Sequence, residues 1–566
     1  DLRRQPTRER RVEMLATTLY RTGRQTDALS EIQRTRRLLR DGYGLSMGPA
    51  LCSLETRILE HDPTLTAPST APASNAATTT DDGVERSMRA ARGLLAVAAP
   101  KAALEALASS IDGARRSTSE TLLADHLLLQ AQAMIAIGAS DPNAMIDEAQ
   151  HVARTIGDGP LLARAALVRF NFGLADDSMG ALVELTEPLE LLPPEAPERL
   201  HLLCAAAAIL SLTDNPVGAR ELVQSAEQCH GVIGSVSSEI VWRAVAAIVG
   251  SLEQRDLDPL VTHAQRALVL ARKSGDSALL TVAIQAVLRV SYLRGELDVI
   301  DAVLDELAQA ALRSGMAFGT IRCSLSATMN ALSRGELDRV PGLIAQSRSD
   351  GERLGTHIAV SATTTQEFLL LRERQELAPH LATMRLLTET GPNWLAAAAA
   401  FGDESDMHRF IEFVARSAPG DQHPAVVALG AVAAERHADA DLARWCIEHL
   451  RPLNDVTITV GLGTVVLGFA RHYLGLALLA VDRLDDAVAE FTWAAERSCA
   501  VGATLWQVDS TLWLAETMLR TAARVSDRAL GNRAVRLLHE IEDQPVLATS
   551  GRLANHFSRL QQTISA

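Results

Sequence analysis

The chain is 566 residues long, 47% hydrophobic and 22% charged, with 35 glycines and 21 prolines. That length is several times a typical domain, and the composition excludes wholesale disorder and the collagen-like and low-complexity classes. A net charge of −15 excludes nucleic-acid binding by unaided electrostatics, and aromatic residues at only 4% argue against base-stacking surfaces and large β-sandwiches. Alanine and leucine dominate the apolar fraction, which is a helical composition.

The charge is uneven along the chain. Residues 1–65 hold 12 Arg against 9 Asp plus Glu, a net of +3, which leaves −18 for the remainder. Of 54 basic residues only Lys101 and Lys273 are lysine, the mark of a GC-rich coding bias. Cys52, Cys204, Cys229, Cys323, Cys446 and Cys499 form no C-x-x-C pair and read as reduced core thiols of a cytoplasmic protein. The Arg-rich start has no apolar run, so no signal peptide is expected, and a first residue of Asp1 reads as a cut through a longer polypeptide.

Residues 1–62 predict three helices. Val12, Leu15 and Leu19 line one face of the first, and Gly23 breaks it. The second, from Thr26 to Arg40, turns Ala28, Leu29, Ile32, Leu38 and Leu39 inward, and Asp41-Gly42-Tyr43-Gly44 stops it. Pro49 opens the third, with Leu51, Leu54, Ile58 and Leu59 facing the core. Residues 64–83 are Thr, Ala, Ser and Pro without a periodic face and predict a flexible linker.

After Gly83 the pattern is helix pairs with a step of 40 residues: Glu296-Leu297-Asp298 and Glu336-Leu337-Asp338 lie in identical Arg-Gly-Glu-Leu-Asp strings, and Asp256-Leu257-Asp258 sits one step earlier. Gly157, Gly275, Gly315 and Gly355 are placed as helix C-caps. One such pair cannot bury its own apolar stripe, whereas stacked pairs share a core. The apolar run Val456–Val481 has only 15 uncharged residues before Arg471, too few to span a membrane, and reads as a buried helix of the array. Further on, Leu474, Gly475, Ala477, Leu478, Ala487, Phe491 and Ala494 take the spacing of a tetratricopeptide unit, with Gly475 and Ala487 letting two helices cross closely and Phe491 filling the gap.

The first segment also carries a resemblance. Arg8-Glu9-Arg10, Leu19-Tyr20-Arg21-Thr22-Gly23-Arg24-Gln25-Thr26-Asp27-Ala28-Leu29, Arg36-Arg37-Leu38-Leu39 and Gly48-Pro49-Ala50-Leu51 together resemble the C-terminal part of a bacterial transcriptional activator domain. This is the helical domain of the SARP-type activators of actinobacteria. The likeness covers about 60 residues, and Met47 stands where the family usually has proline. It implies a winged helix that reads DNA ahead of this segment. Larger family members carry an NTPase and a tetratricopeptide-like array, and here the array is kept without the NTPase.

Residues with catalytic or ligating potential each have a plainer role. Neither Lys101 nor Lys273 ends a Gly-rich phosphate loop. Gly44-Leu45-Ser46-Met47-Gly48 matches a nucleophile elbow in letters, but a helix enters it where that chemistry needs a strand. Gly461-Leu462-Gly463 lacks the third glycine and the βαβ unit of a dinucleotide loop and reads as close helix packing. Cys446 and His449 make half a metal site, with Cys446 better placed in the core and His449 partly exposed. Arg34, Arg36, Arg37 and Arg40, with Arg8, Arg10 and Arg11, form the one basic face; a solvated helix surface is the simpler account than a contact with phosphate.

The expected fold is therefore all-α: a partial activator domain over 1–63, a linker over 64–83 and a tetratricopeptide-like α-α superhelix over 84–566. No catalytic, cofactor-binding or metal residue is assigned, and no enzyme activity, cofactor or membrane contact is expected. The expected role is that of a non-enzymatic part of a transcriptional regulator. Its repeats would bind a protein partner or small effector on their concave face, with DNA reached only through a winged helix outside the chain, and a homodimer is possible. The alternative is a protein-protein scaffold without a DNA role.

Overall fold

The structure is a computed structural model that describes Val12, Ala16, Leu19, Tyr20, Met47 and residues 25–43, 49–59, 78–96, 99–137, 142–171, 178–211, 215–253, 256–354, 358–417 and 423–565. It divides into two compact units, Asp1–Ala76 and Ala77–Ala566.

In the first unit, α1 (Gln25–Tyr43) and α2 (Pro49–Leu59) pack on the helical residues Val12, Ala16, Leu19 and Tyr20. Val12, Ala16, Ala28, Ile32, Leu51, Leu54 and Ile58 close the core, as the periodicity predicts. Leu15 and the side chains of Leu38 and Leu39 lie outside the described residues, and among the described ones Leu59 is the exception. Expected inward, it is 58% exposed at the last turn of α2. Pro49 does open α2, where its missing N–H goes unneeded.

The second unit begins with α3 (Thr78–Ala96), so the last six residues of the segment expected to be linker, 78–83, are helical. There follow α4 (Pro100–Ala108), α5 (Ile111–Arg116), α6 (Glu120–Ala136), α7 (Asn143–Ile156), α8 (Gly159–Asn171), α9 (Ser178–Thr186), α10 (Pro197–Leu210), α11 (Pro216–Ile233), α12 (Val236–Gly250) and α13 (Asp258–Ser274). The chain continues through α14 (Ser277–Arg294), α15 (Leu297–Ser314), α16 (Ala317–Arg334), α17 (Val340–Leu354), α18 (Ile358–Arg374), α19 (Leu381–Leu387), α20 (Pro392–Phe401), α21 (Glu404–Arg416), α22 (Pro424–His437) and α23 (Ala440–Leu450). After a hairpin, β1 (Thr457–Val460) and β2 (Val465–Phe469), it ends in α24 (Ala470–Ala480), α25 (Leu484–Ala500), α26 (Thr504–Val525), α27 (Arg528–Ile541), α28 (Val546–Thr549) and α29 (Gly551–Ser565). The fold is an α-solenoid.

The turns are built as the sequence specifies. Gly157, Gly275 and Gly315 end their helices in the left-handed region, and so do Gly295 and Gly335 of the two Arg-Gly-Glu-Leu-Asp strings. Gly355 lies outside the described residues. Asp276 caps α14 through the amides of Ala278 and Leu279, and Asn215 caps α11 through that of Gly218. Successive repeats are also stitched by ion pairs about one repeat apart: Arg115 with Glu148, Arg154 with Glu187 and Arg272 with Glu306, at 3.3, 2.8 and 2.7 Å. Such exposed pairs fix register more than they add stability.

Burial separates the array into two regimes. The earlier helices bury small separate clusters, whereas from Ile240 to Leu560 one large core runs through α12–α29, beside which Ile321, Leu325, Ala359 and Ala362 form a small cluster of their own. The reason is that the late helices fold back. α26 packs on α16, and α29 packs on both α18 and α26. The first helices of the pairs, α14, α16 and α18 on one side and α22 and α24 on the other, then face one another across a narrow interior.

The β-hairpin fills that interior and corrects the expectation for Val456–Val481. The run is not one helix: two short antiparallel strands precede α24, with an irregularity between Ile458 and Thr459. Ile458, Val465, Val466 and Phe469 are buried completely or nearly so. Gly461-Leu462-Gly463 is the turn at the hairpin tip and not the close helix packing expected. Gly463 has φ +81, and a Cβ there would lie 3.2 Å from Tyr292 and 3.3 Å from Arg322, so both conformation and space call for glycine. One described helix, Ser277–Arg294, is long and apolar enough to cross a membrane, but it lines this interior and 67% of it is buried.

Candidate functional site

Three places concentrate polar chemistry among the described residues. The first is the basic face of α1. Arg36 is committed to Glu55 of α2 in a two-pronged ion pair, one prong of 3.1 Å, and thus ties the two helices together. Arg34 reaches Glu31 at 3.5 Å, and Arg37 is exposed. The side chain of Arg40, and Arg8, Arg10 and Arg11, lie outside the described residues. Part of the cluster is thus structural, with Arg34 and Arg37 left at the surface.

The second is the wall around the hairpin, which the sequence did not reveal. Arg289 of α14 is buried and donates to the hydroxyl of Ser251 (2.7 Å), to its carbonyl (3.3 Å) and to the Thr459 hydroxyl of β1 (2.6 Å). Burial, reinforced by the neighbouring charge of Arg322, lowers its guanidinium to about 9, so it stays cationic at neutral pH. Thr457 donates to the Tyr292 carbonyl at 2.6 Å, and Gln366 of α18 donates to the carbonyls of Leu325 and Thr464 at 2.9 and 2.8 Å. Phe469 stands edge-on to Trp493 and Trp506, and a Cβ on Gly295 would come within 2.8 Å of its ring. These bonds tie strand to wall, while Gln366 Oε1 and Ser326 Oγ beside them find no hydrogen-bond partner among the described residues. The inner face of α14–α24, which the sequence offered as a concave binding surface, is covered by the chain itself.

The third is a buried ionic network that seats α29. Arg552 donates to both oxygens of Asp509 (3.0 and 2.8 Å) and, through Nε, to Glu373 (3.0 and 3.2 Å). Glu373 also accepts from Arg372 at 2.8 Å and from the Ser550 hydroxyl at 3.0 Å. Burial pushes both carboxyls up, but Arg552 outweighs it, helped by His472 at Asp509 and by Arg372 at Glu373, and holds both below their ordinary values. Two turns beyond Asp509, burial also pushes Glu516 up, yet His556 at 2.7 Å, with Arg520 and Arg559, brings it down to about 2.

Within this network Ser510, His472 and Asp509 imitate a catalytic triad. His472 Nδ1 and Ser510 Oγ share a hydrogen bond of 2.9 Å, and Asp509 lies 3.9 Å from Nε2. The arrangement does not fit that chemistry. Ser510 is 1% exposed, Asp509 is engaged by Arg552, and burial lowers His472 to about 4. A general base needs a substrate within reach and a titration near the working pH, and this one has neither.

The remaining sequence candidates fall in ordinary places. Cys446 is in the core with its thiol pushed up by burial, while His449 bonds the Trp445 carbonyl at 2.8 Å and packs on that ring. Lys101 and Lys273 are exposed on helices. The Gly44–Gly48 string lies outside the described residues apart from Met47.

A helical unit with an apolar core and a part-structural basic face thus precedes a closed helical-repeat array. The comparisons define the first unit. Residues 2–59 match the family of bacterial transcriptional activator domains. The regulatory protein AfsR of Streptomyces coelicolor is 47% identical over 74 residues, which is 13% of this chain and 8% of that protein. AfsR of Streptomyces griseus is 46% identical over 68 residues, 12% of this chain and 7% of that protein. The matched segments therefore span less than a tenth of these relatives. Among solved structures, a circular tandem repeat protein with novel repeat topology aligns over 97% of this chain and 98% of its own at 14% identity, with a TM-score of 0.13. So low a score leaves the fold to rest on the helix pairs themselves.

Proposed function

We propose that this chain is a non-enzymatic region of a SARP-type bacterial transcriptional regulator, acting in the cytoplasm. Its helical repeats bind a protein partner or small effector and relay that state, through the activator domain, to a DNA-reading winged helix outside residues 1–566. The observation that carries this reading is the activator-domain match at 2–59, with its 47% identity to a regulatory protein. Partner binding is assigned to surfaces other than the wall of α14–α24, because the hairpin occupies that wall. The test is in-frame excision of codons 84–566 from the chromosomal gene, followed by transcript profiling. Altered expression of a defined gene set is the expected result; an unchanged profile favours the scaffold alternative and overturns the proposal.

The chain on its own is expected to give no sequence-specific DNA retardation in a gel shift, even at low salt. Its excess of 15 negative charges repels phosphate. A specific shifted band would place a DNA-reading surface inside residues 1–566.

A further inference from the structure

The hairpin lengthens the step from α23 to α24, and a cleft of about 300 Å³ stays open at its foot, where α23, α24 and α25 meet. Its walls are polar. Arg451 and Asn454 come from the segment entering the hairpin, Arg471 from the first turn of the helix leaving it, and Asp486 and Glu490 from α25. Leu474 and Leu478 close the floor, and both are already buried, so the cleft has little apolar surface to cover. What it offers a ligand is charge.

Some of these charges are already paired within the chain. Arg471 meets Asp455 at 3.0 Å and stacks over the Trp493 ring at 4.4 Å, and Asp486 accepts from Arg483 at 2.7 Å. Glu490 is poorly served. Its Oε2 is closed to solvent without a hydrogen-bond donor, and the Arg471 guanidinium stands 3.8 Å off, beyond hydrogen-bond reach. Burial accordingly pushes this carboxyl up, against the pull of Arg471 and Arg451. The exposed side chains of Arg451 and Asn454 make no hydrogen bond or ion pair among the described residues. One anion short of a donor and one cation short of an acceptor thus line the same cleft.

We propose that this cleft binds a small zwitterion, a free α-amino acid, with its ammonium at the Glu490 carboxylate and its carboxylate at the Arg451 guanidinium and the Asn454 amide. A simple cation would be opposed by Arg451 and Arg471, and a simple anion by Glu490 and Asp486; a molecule carrying both charges a few bonds apart meets each with its opposite. The volume lies at the lower end of ligand pockets, and the closed floor leaves no seat for a large apolar side chain, so the amino acid is a small or polar one. The inference gives a chemistry to the small effector of the proposed function. It is tested by binding alone, so its failure leaves the transcript test standing, and the reverse holds too.

Calorimetric titration of the whole chain with each of the common α-amino acids at millimolar concentration supplies that test. At least one with a small or polar side chain should bind, and its N-acetyl and carboxamide derivatives, each lacking one charge, should bind at least tenfold more weakly. Arg451→Ala, at an exposed position, and Glu490→Gln should each weaken binding at least tenfold while helical circular dichroism is retained. A panel in which no amino acid binds overturns the proposal. So does binding that survives the loss of either ligand charge, or that is indifferent to either substitution.

Discussion

Replacing Arg552 by alanine is expected to destabilise the second unit by about 3–5 kcal/mol, the range seen when one member of a buried ion pair is removed. The guanidinium serves Asp509 and the wholly buried Glu373 at once, so its loss removes the two-pronged cation of Asp509 and leaves Glu373 with Arg372 and Ser550 alone. Denaturant midpoints measure the effect. The pH dependence gives it a signature. In the native chain both carboxyls lie below their ordinary values, so their contribution is complete above pH 3.8 and 4.5 and fades only below. Without Arg552, burial pushes both upward, and acidification relieves the variant by protonating them. The stability gap between the two proteins should therefore narrow from pH 7 towards 4.5. His472, lowered to about 4 by burial with Arg552 among the further causes, costs the native chain stability below pH 6.5; loss of Arg552 eases that cost in the variant and narrows the gap further. A loss under about 1 kcal/mol, or a gap that widens in acid, would show that solvent reaching the quarter-exposed Arg552 side chain already screens the two carboxylates.

Phe491→Ala is the second large effect, expected at about 3–5 kcal/mol. The ring is fully buried between α24 and α25, with atoms 2.7–2.9 Å from where a Cβ on Gly475 would stand. Gly475→Val drives a branched side chain into that ring and should cost about 1–3 kcal/mol or more. Because the two positions share one space, Gly475→Ala combined with Phe491→Leu should be milder than the sum of the single changes. Strict additivity in a double-mutant cycle would mean that the helices cross elsewhere.

This contact is also where the sequence was most legible. Gly475 and Phe491 differ in size at matched positions of two periodic helices, and the fit follows from that difference alone. The left-handed glycines of the Arg-Gly-Glu-Leu-Asp strings were equally readable, since a polar turn after an apolar stripe leaves few other conformations. The hairpin was not. Val456-Thr457-Ile458-Thr459-Val460 does alternate, but over five residues only, and Val465–Phe469 does not, so the run as a whole reads as an apolar core segment of either kind. Its hints were local: β-branched residues crowded at Thr457–Val460 and Thr464–Val466, with glycines between them. The ionic network was invisible for another reason. Glu373, Asp509 and Arg552 are far apart in sequence and sit on helices where a surface charge is the default.

The enclosed hairpin bears on how the molecule is assembled. Open solenoids can nucleate anywhere and propagate between neighbours, because each unit touches only the next. Here Thr459 must meet Arg289 and Thr457 must meet Tyr292, across 170 and 165 residues, before the interior is complete. Closing such distances is entropically expensive and slow. On the ribosome, α14–α18 must therefore emerge and wait, with their apolar inner walls bare, until the hairpin and the last helices arrive. This stretch is the part of the nascent chain most in need of a chaperone.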